Sequence, residues 1–80
     1  MRTRNDLIPP LLEALKALGG STTIVSVSEY IWKNYEEDLR KSGDLFYTWH
    51  YDLRWAARTL RERKALKSAS ISPKGIWELA

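Results

Sequence analysis

Apolar side chains recur at helical spacing at Ile8, Leu11, Leu12, Leu15 and Leu18, between Asn5-Asp6 and Gly19-Gly20. This predicts a first helix over about 6–18, capped by Asn5 or Asp6 and stopped by the glycines. Pro9 and Pro10 fit its start, because first-turn N–H groups have no intrahelical acceptor and proline merely lacks one. Ser21-Thr22-Thr23-Ile24 is short and β-branched, which predicts a brief strand. In Ser26-Val27-Ser28-Glu29 the serine hydroxyl and the glutamate carboxylate are spaced to accept each other's backbone N–H, the capping-box pattern. A second helix is therefore expected over about 27–35, with Val27, Tyr30, Ile31 and Tyr35 facing inward. Glu36-Glu37-Asp38 and Lys41-Ser42-Gly43 break the stripe, so residues 36–44 read as an exposed connector.

The longest periodic segment carries Trp49, Leu53, Ala56, Ala57 and Leu60 on one stripe and predicts a third helix over about 45–64. Leu66 to Ile71 and Ile76 to Leu79 then flank Ser72-Pro73-Lys74-Gly75, with proline second and glycine fourth, as a type I turn prefers. A β-hairpin over about 66–79 follows. The order of helix, short strand, helix, helix and C-terminal two-stranded hairpin is that of an α+β winged helix-turn-helix domain. At 80 residues, one core and one domain over 1–80 are expected.

Composition narrows the chemistry. Four Trp and four Tyr make large rings a major part of the core. Trp49 and Trp77 fall on core positions, whereas Trp32 and Trp55 sit at stripe edges. With no cysteine, neither a disulfide nor a thiolate zinc site can form. His50 stands alone, and no acidic pair, glycine-rich phosphate loop or metal-ligand spacing is present, so neither catalysis, a metal nor a cofactor is expected. The N-terminal stretch lacks the apolar run of a signal peptide or membrane span, and the expectation is a soluble cytoplasmic protein that does not engage membranes.

Charge is uneven: residues 1–40 hold five basic and six acidic side chains, residues 41–80 eight and four. On the third helix the face opposite the apolar stripe reads Tyr47, Tyr51, Arg54, Arg58 and Arg61, with Thr48 and His50 beside it. In a winged helix that face enters the major groove of duplex DNA. Arg54 is placed to read guanine with its two-pronged guanidinium, and Arg58 and Arg61 to neutralise phosphates. Tyr47, Thr48, His50 and Tyr51 are placed to hydrogen-bond either. Lys74 at the turn and Lys67 on the first hairpin strand would hold the flanking backbone, and Arg2 and Arg4 would form a disordered basic arm. Asp52 and Glu62 lie within a turn of the arginines, the arrangement of a merely solvated face. The rival class is a protein-interaction or dimerisation module using Trp32, Trp55 and Tyr51.

Pro-Leu-Leu-Glu-Ala-Leu at 10–15, Gly19-Gly20, Ser42-Gly43, Arg54-Trp55-Ala56 with Leu60, and Lys74-Gly75-Ile76-Trp77-Glu78-Leu79 together resemble the N-terminal winged-helix domain of Mrr-type restriction endonucleases. The resemblance spans nearly the whole chain. It departs where that family commonly has Asn-Arg early in the third helix and Ala-Gly-Leu at its end, here Tyr51-Asp52 and Arg63-Lys64-Ala65-Leu66. It implies DNA targeting in host defence, often of methylated DNA, with cleavage by a separate nuclease domain in the same or another chain. A homodimer is the other expected partner, because a lone domain with about five or six phosphate contacts binds weakly at physiological salt.

Overall fold

Asp6 sets the beginning of the fold by accepting the backbone N–H groups of Arg2 (2.8 Å) and Thr3 (3.1 Å) around a 3-10 turn, Arg4–Leu7. Those two bonds favour the ionised carboxylate and hold its pKa below the ordinary value. Helix α1 follows at Ile8–Ala17 with the prolines in its first turn. It ends where Gly20 N–H donates to the Leu15 carbonyl (2.7 Å) across Gly19, whose φ of +91° only glycine adopts freely. The computed structural model describes all 80 residues.

Strand β1, Ser21–Thr23, leads directly into helix α2, Ile24–Arg40, and both expected limits of that helix are corrected. Its cap is Thr23, whose side chain accepts the Ser26 N–H at 3.0 Å, so the helix begins three residues before Val27. The capping box does not form; Ser26 Oγ instead accepts the Thr23 hydroxyl at 3.0 Å. At the other end the helix continues through the expected connector, past a distortion at Tyr35 (φ −128°, ψ 18°), because Leu39 continues the buried stripe of Val27 and Ile31. The acidic run is the solvated side of that last stretch, with Glu36 paired to Arg40 at 2.8 Å.

Helix α3, Leu45–Glu62, buries Trp49, Leu53, Ala56, Ala57 and Leu60 as the periodicity predicts, together with Leu45 and Asp52. Strand β2, Ile76–Glu78, pairs antiparallel with β1 in the register Ser21–Glu78, Thr22–Trp77, Thr23–Ile76. The result is an α+β domain of three helices and a two-stranded antiparallel sheet.

The expected hairpin is only partly present. On the other edge of β2 the chain from Ala65 to Lys67 makes a single bridge, Leu66 to Leu79, flanked by Lys67 N–H to the Glu78 carbonyl and Ala80 N–H to the Ala65 carbonyl. Ser68 to Ser72 then turns on itself, both Ile71 and Ser72 donating to the Ser68 carbonyl. The segment Lys67-Ser68-Ala69-Ser70 has no β-branched or aromatic side chain to hold a strand against β2. The tight turn also shifts by one residue: Ile76 N–H closes on the Pro73 carbonyl (3.1 Å), which puts Gly75, at φ +80°, third rather than fourth, as a type II turn requires.

One core joins these elements, with Leu7, Leu11, Leu15, Ile31, Leu39 and Leu53 fully buried between the helices and Leu66 and Trp77 fastening the sheet. Each such side chain contributes roughly 1.5–3 kcal/mol of apolar burial. No helix is long and apolar enough to cross a membrane.

Candidate nucleic-acid interface

The core stripe of α3 turns its opposite face to solvent, and the nine candidate positions there and on the C-terminal segment separate into two groups by what their polar atoms touch. Tyr47 (84% exposed) and Tyr51 (72% exposed) project freely. Arg54 is exposed and forms neither an ion pair nor a hydrogen bond within the chain. Arg58 reaches Glu62 at 3.7 Å, but both side chains are mostly in water, where such a pair is worth about 0–1 kcal/mol and exchanges readily for a phosphate. His50 is exposed and lies tilted at 31° against Trp49, with 3.7 Å between ring centroids. Lys74 is exposed on the turn before β2.

The remaining three are engaged internally. Thr48 donates its hydroxyl to Asp52 at 2.7 Å. Lys67 pairs with Glu78 at 3.3 Å across the Leu66–Leu79 bridge. Arg61 is half-buried and ties α3 to the sheet segment, its Nε donating to the Lys67 carbonyl (3.1 Å) and its Nη2 to the Ile76 carbonyl (3.3 Å). These two bonds fix the angle between the helix and the C-terminal segment and leave three of the five guanidinium donors for other partners.

Asp52 is the residue that spacing misassigns. It does not pair with the exposed arginines; it lies buried and meets Arg4 at 3.6 Å as well as Thr48. Arg4 in turn sits over the Trp55 ring, 5.0 Å from its centroid, so this residue is docked on α3 and the expected disordered basic arm is corrected there. The Thr48–Asp52 bond has a local signal, the i,i+4 spacing, whereas nothing near Asp52 in sequence announces Arg4. Burial of one carboxylate leaves the exposed face of α3, from Tyr47 to Arg58, without an acidic side chain.

Beside this face lies an open groove between α2 and α3 of about 730 Å³, lined by Val25, Trp32, Phe46, Tyr47, His50 and Arg54 among others. Trp32 stacks on Trp49 (6.1 Å, 7°) and is covered by the Arg40 guanidinium at 5.2 Å. Both edge tryptophans are thus half-buried packing residues. No three His, Asp or Glu side chains cluster as a metal site would require.

Comparison with family models, curated proteins and solved structures finds no match to this chain.

Proposed function

We propose that the chain is a winged-helix module that binds duplex DNA, with α3 in the major groove and the segment from Leu66 to Leu79 as an abbreviated wing along the adjacent backbone. The observation that carries this reading is the exposed α3 face on which Tyr47, Tyr51, Arg54 and Arg58 stand together with no exposed carboxylate between them, Glu62 lying beyond Arg58 and Arg61 bracing the helix to the wing. Arg54, without an internal partner, reads a base edge; Arg58 neutralises a phosphate; Tyr47, His50 and Tyr51 contact either. Thr48 and Lys67 act by shaping the face. On the resemblance to Mrr-type N-terminal domains, the module serves the targeting step of a cytoplasmic defence system, sensing methylated DNA for a nuclease domain.

Fluorescence anisotropy on two otherwise identical labelled duplexes, one carrying methylated cytosine or adenine, tests this at low and moderate salt. Salt-dependent binding supports the DNA reading, and a difference between duplexes extends it to modification. Absence of binding to either at low salt overturns it in favour of a second reading, self-association or partner binding through the groove flanked by Val25 (65% exposed) and Tyr47. That alternative requires a sedimentation coefficient that rises with protein concentration.

A further inference from the structure

The hydroxyl of Ser72 is buried, the residue being only 6% exposed, and it has no hydrogen-bond partner in the protein. A buried hydroxyl without a partner is costly and calls for an explanation such as a missing ligand. Ser72 lines a cavity of about 250 Å³ at the base of the wing, together with Arg61, Lys74, Gly75 and Ile24. The two bonds that pin Arg61 hold its guanidinium at this cavity with donors to spare, and Lys74 brings a second cation. No carboxylate lines it. The first residue of α2 also borders the cavity, with its N–H already donated to the Gly75 carbonyl at 3.1 Å. Two cations beside a space several times the roughly 30 Å³ share of one water, with an unpaired hydroxyl sealed just behind its wall, suit a tetrahedral oxyanion.

We propose that this cavity is a seat for one phosphate group, filled by a backbone phosphodiester when a duplex lies along the wing. The inference rests on the DNA-binding reading for its source of phosphate and adds the residues that hold it. Arg61 and Lys74 supply the charge, the turn from Pro73 to Ile76 carries Lys74 over the opening, and Ser72, whose Oγ is shielded from solvent in the unbound chain, donates its hydroxyl to a phosphate oxygen once its segment shifts. The segment Ser68–Ser72 is held by bonds within itself, so it can shift to admit the group without breaking the sheet.

Amide chemical shifts of the 80-residue protein, titrated with inorganic phosphate against equal ionic strength of chloride, read the seat directly. Expected are saturable shifts confined to Ile24, Ser72, Lys74 and Gly75. Ser72→Ala should weaken phosphate and duplex binding about tenfold each, the scale of one hydrogen bond to a charged group. Its thermal midpoint should stay level or rise, since an unpaired buried hydroxyl has gone, whereas a purely structural serine would lower it and leave binding unchanged. Lys74→Gln should reduce the slope of log affinity against log salt by about one, and serves if the serine variant does not fold. Duplex binding that needs Arg54 but ignores Ser72→Ala and Lys74→Gln would overturn the seat and leave the DNA reading intact. Phosphate shifts abolished by Ser72→Ala, with no duplex bound at low salt, would overturn the backbone as its source and the DNA reading with it.

Discussion

Lys64 has φ of +63°, a conformation that costs a side chain about 1–2 kcal/mol and glycine little. It is the left-handed residue of the α3 stop, with Ala65 N–H on the Leu60 carbonyl (2.8 Å) and its own N–H on Arg61 (3.0 Å). The stop needs that geometry even though no glycine supplies it. Lys64→Gly should therefore stabilise the fold by about 0.5–1 kcal/mol, net of the extra freedom glycine gains when unfolded, raising the thermal midpoint by roughly 2–8 °C. A lower midpoint in calorimetry would mean that the lysine side chain contributes more than its backbone costs. Arg54 and Arg58 differ at the same scale, because one stands unpaired at the middle of α3 and the other, one turn further along, shares Glu62. Arg54→Ala should weaken the preferred duplex and flatten its preference by about 1–3 kcal/mol, whereas Arg58→Ala should weaken all duplexes alike. Competition anisotropy against scrambled duplexes separates the two, and equal loss on every sequence from Arg54→Ala would remove it from base reading. Period alone placed Tyr47, Tyr51, Arg54 and Arg58 outward, but it also put Asp52 in water, whereas the structure buries it. What the side chains touch was not legible: Arg61, Lys67 and Asp52 find partners brought close only by tertiary structure, and helical spacing carries no record of those.

Among the elements, α2 departs furthest from its sequence pattern, and both ends have a physical cause. Ser26 with Glu29 satisfies the capping-box spacing, but Thr23 comes straight out of β1 in extended conformation and offers its hydroxyl oxygen first. Thr23→Ala should cost about 1 kcal/mol, and a negligible loss in chemical denaturation would show that Ser26 caps in its place. The C-terminal extension is anchored by Leu39, one apolar residue in a charged stretch, too sparse a signal to outweigh Glu36-Glu37-Asp38 in a reading by pattern. The long periodic α3 was legible almost to the residue, whereas the pairing of β1 with β2 was not, because no local spacing links Ser21–Thr23 to Ile76–Glu78. The first wing strand was overread because Lys67 to Ser70, between Leu66 and Ile71, holds no β-branched or aromatic side chain to favour a strand. Packing of α1 on α2 includes a clasp that no spacing reveals: Glu13 accepts the hydroxyls of Tyr35 (2.7 Å) and Tyr30 (2.9 Å). The Tyr35 bond, then the Tyr30 bond, lowers the Glu13 pKa, while the bond to Glu13 raises both tyrosines, Tyr35 to about 12. A depressed carboxylate adds stability above its unfolded pKa of about 4.5 that is lost as pH falls through the lower folded value. A raised phenol adds stability below 10.0 that is lost as pH climbs through about 12. Glu13→Gln should bring the ultraviolet titration of Tyr35 back toward 10 and flatten both limbs; an unchanged tyrosine titration would show that the clasp does not form in solution.

The molecule as a whole carries only +3, too little to attract a polyanion from a distance, so its affinity must come from where the charge is concentrated. Arg54, Arg58 and Arg61 succeed one another over about 10 Å of helix at 1.5 Å per residue, and Lys74 continues the row because it lines the same cavity as Arg61. A radius of gyration of 11.9 Å, close to the roughly 12 Å of a compact chain of this length, means that one folded unit holds all four. Lys67 drops out because Glu78 already neutralises it within the wing. With Arg54 on a base and Arg58, Arg61 and Lys74 on about three phosphates, log affinity should fall with log salt at a slope near −2.7, and raising salt from about 50 to 200 mM should weaken binding about 40-fold. The slope tests the arrangement more sharply than affinity does, since it counts cations that actually meet phosphates. A slope near −1 would mean that α3 approaches DNA without the wing and that the Arg61 brace serves the fold alone. A slope well beyond −4 would bring in further cations, Arg63 and Lys64 of this chain or those of a second protomer. A sedimentation coefficient on the duplex that rises with protein concentration would then move the unit of recognition from this domain to a dimer.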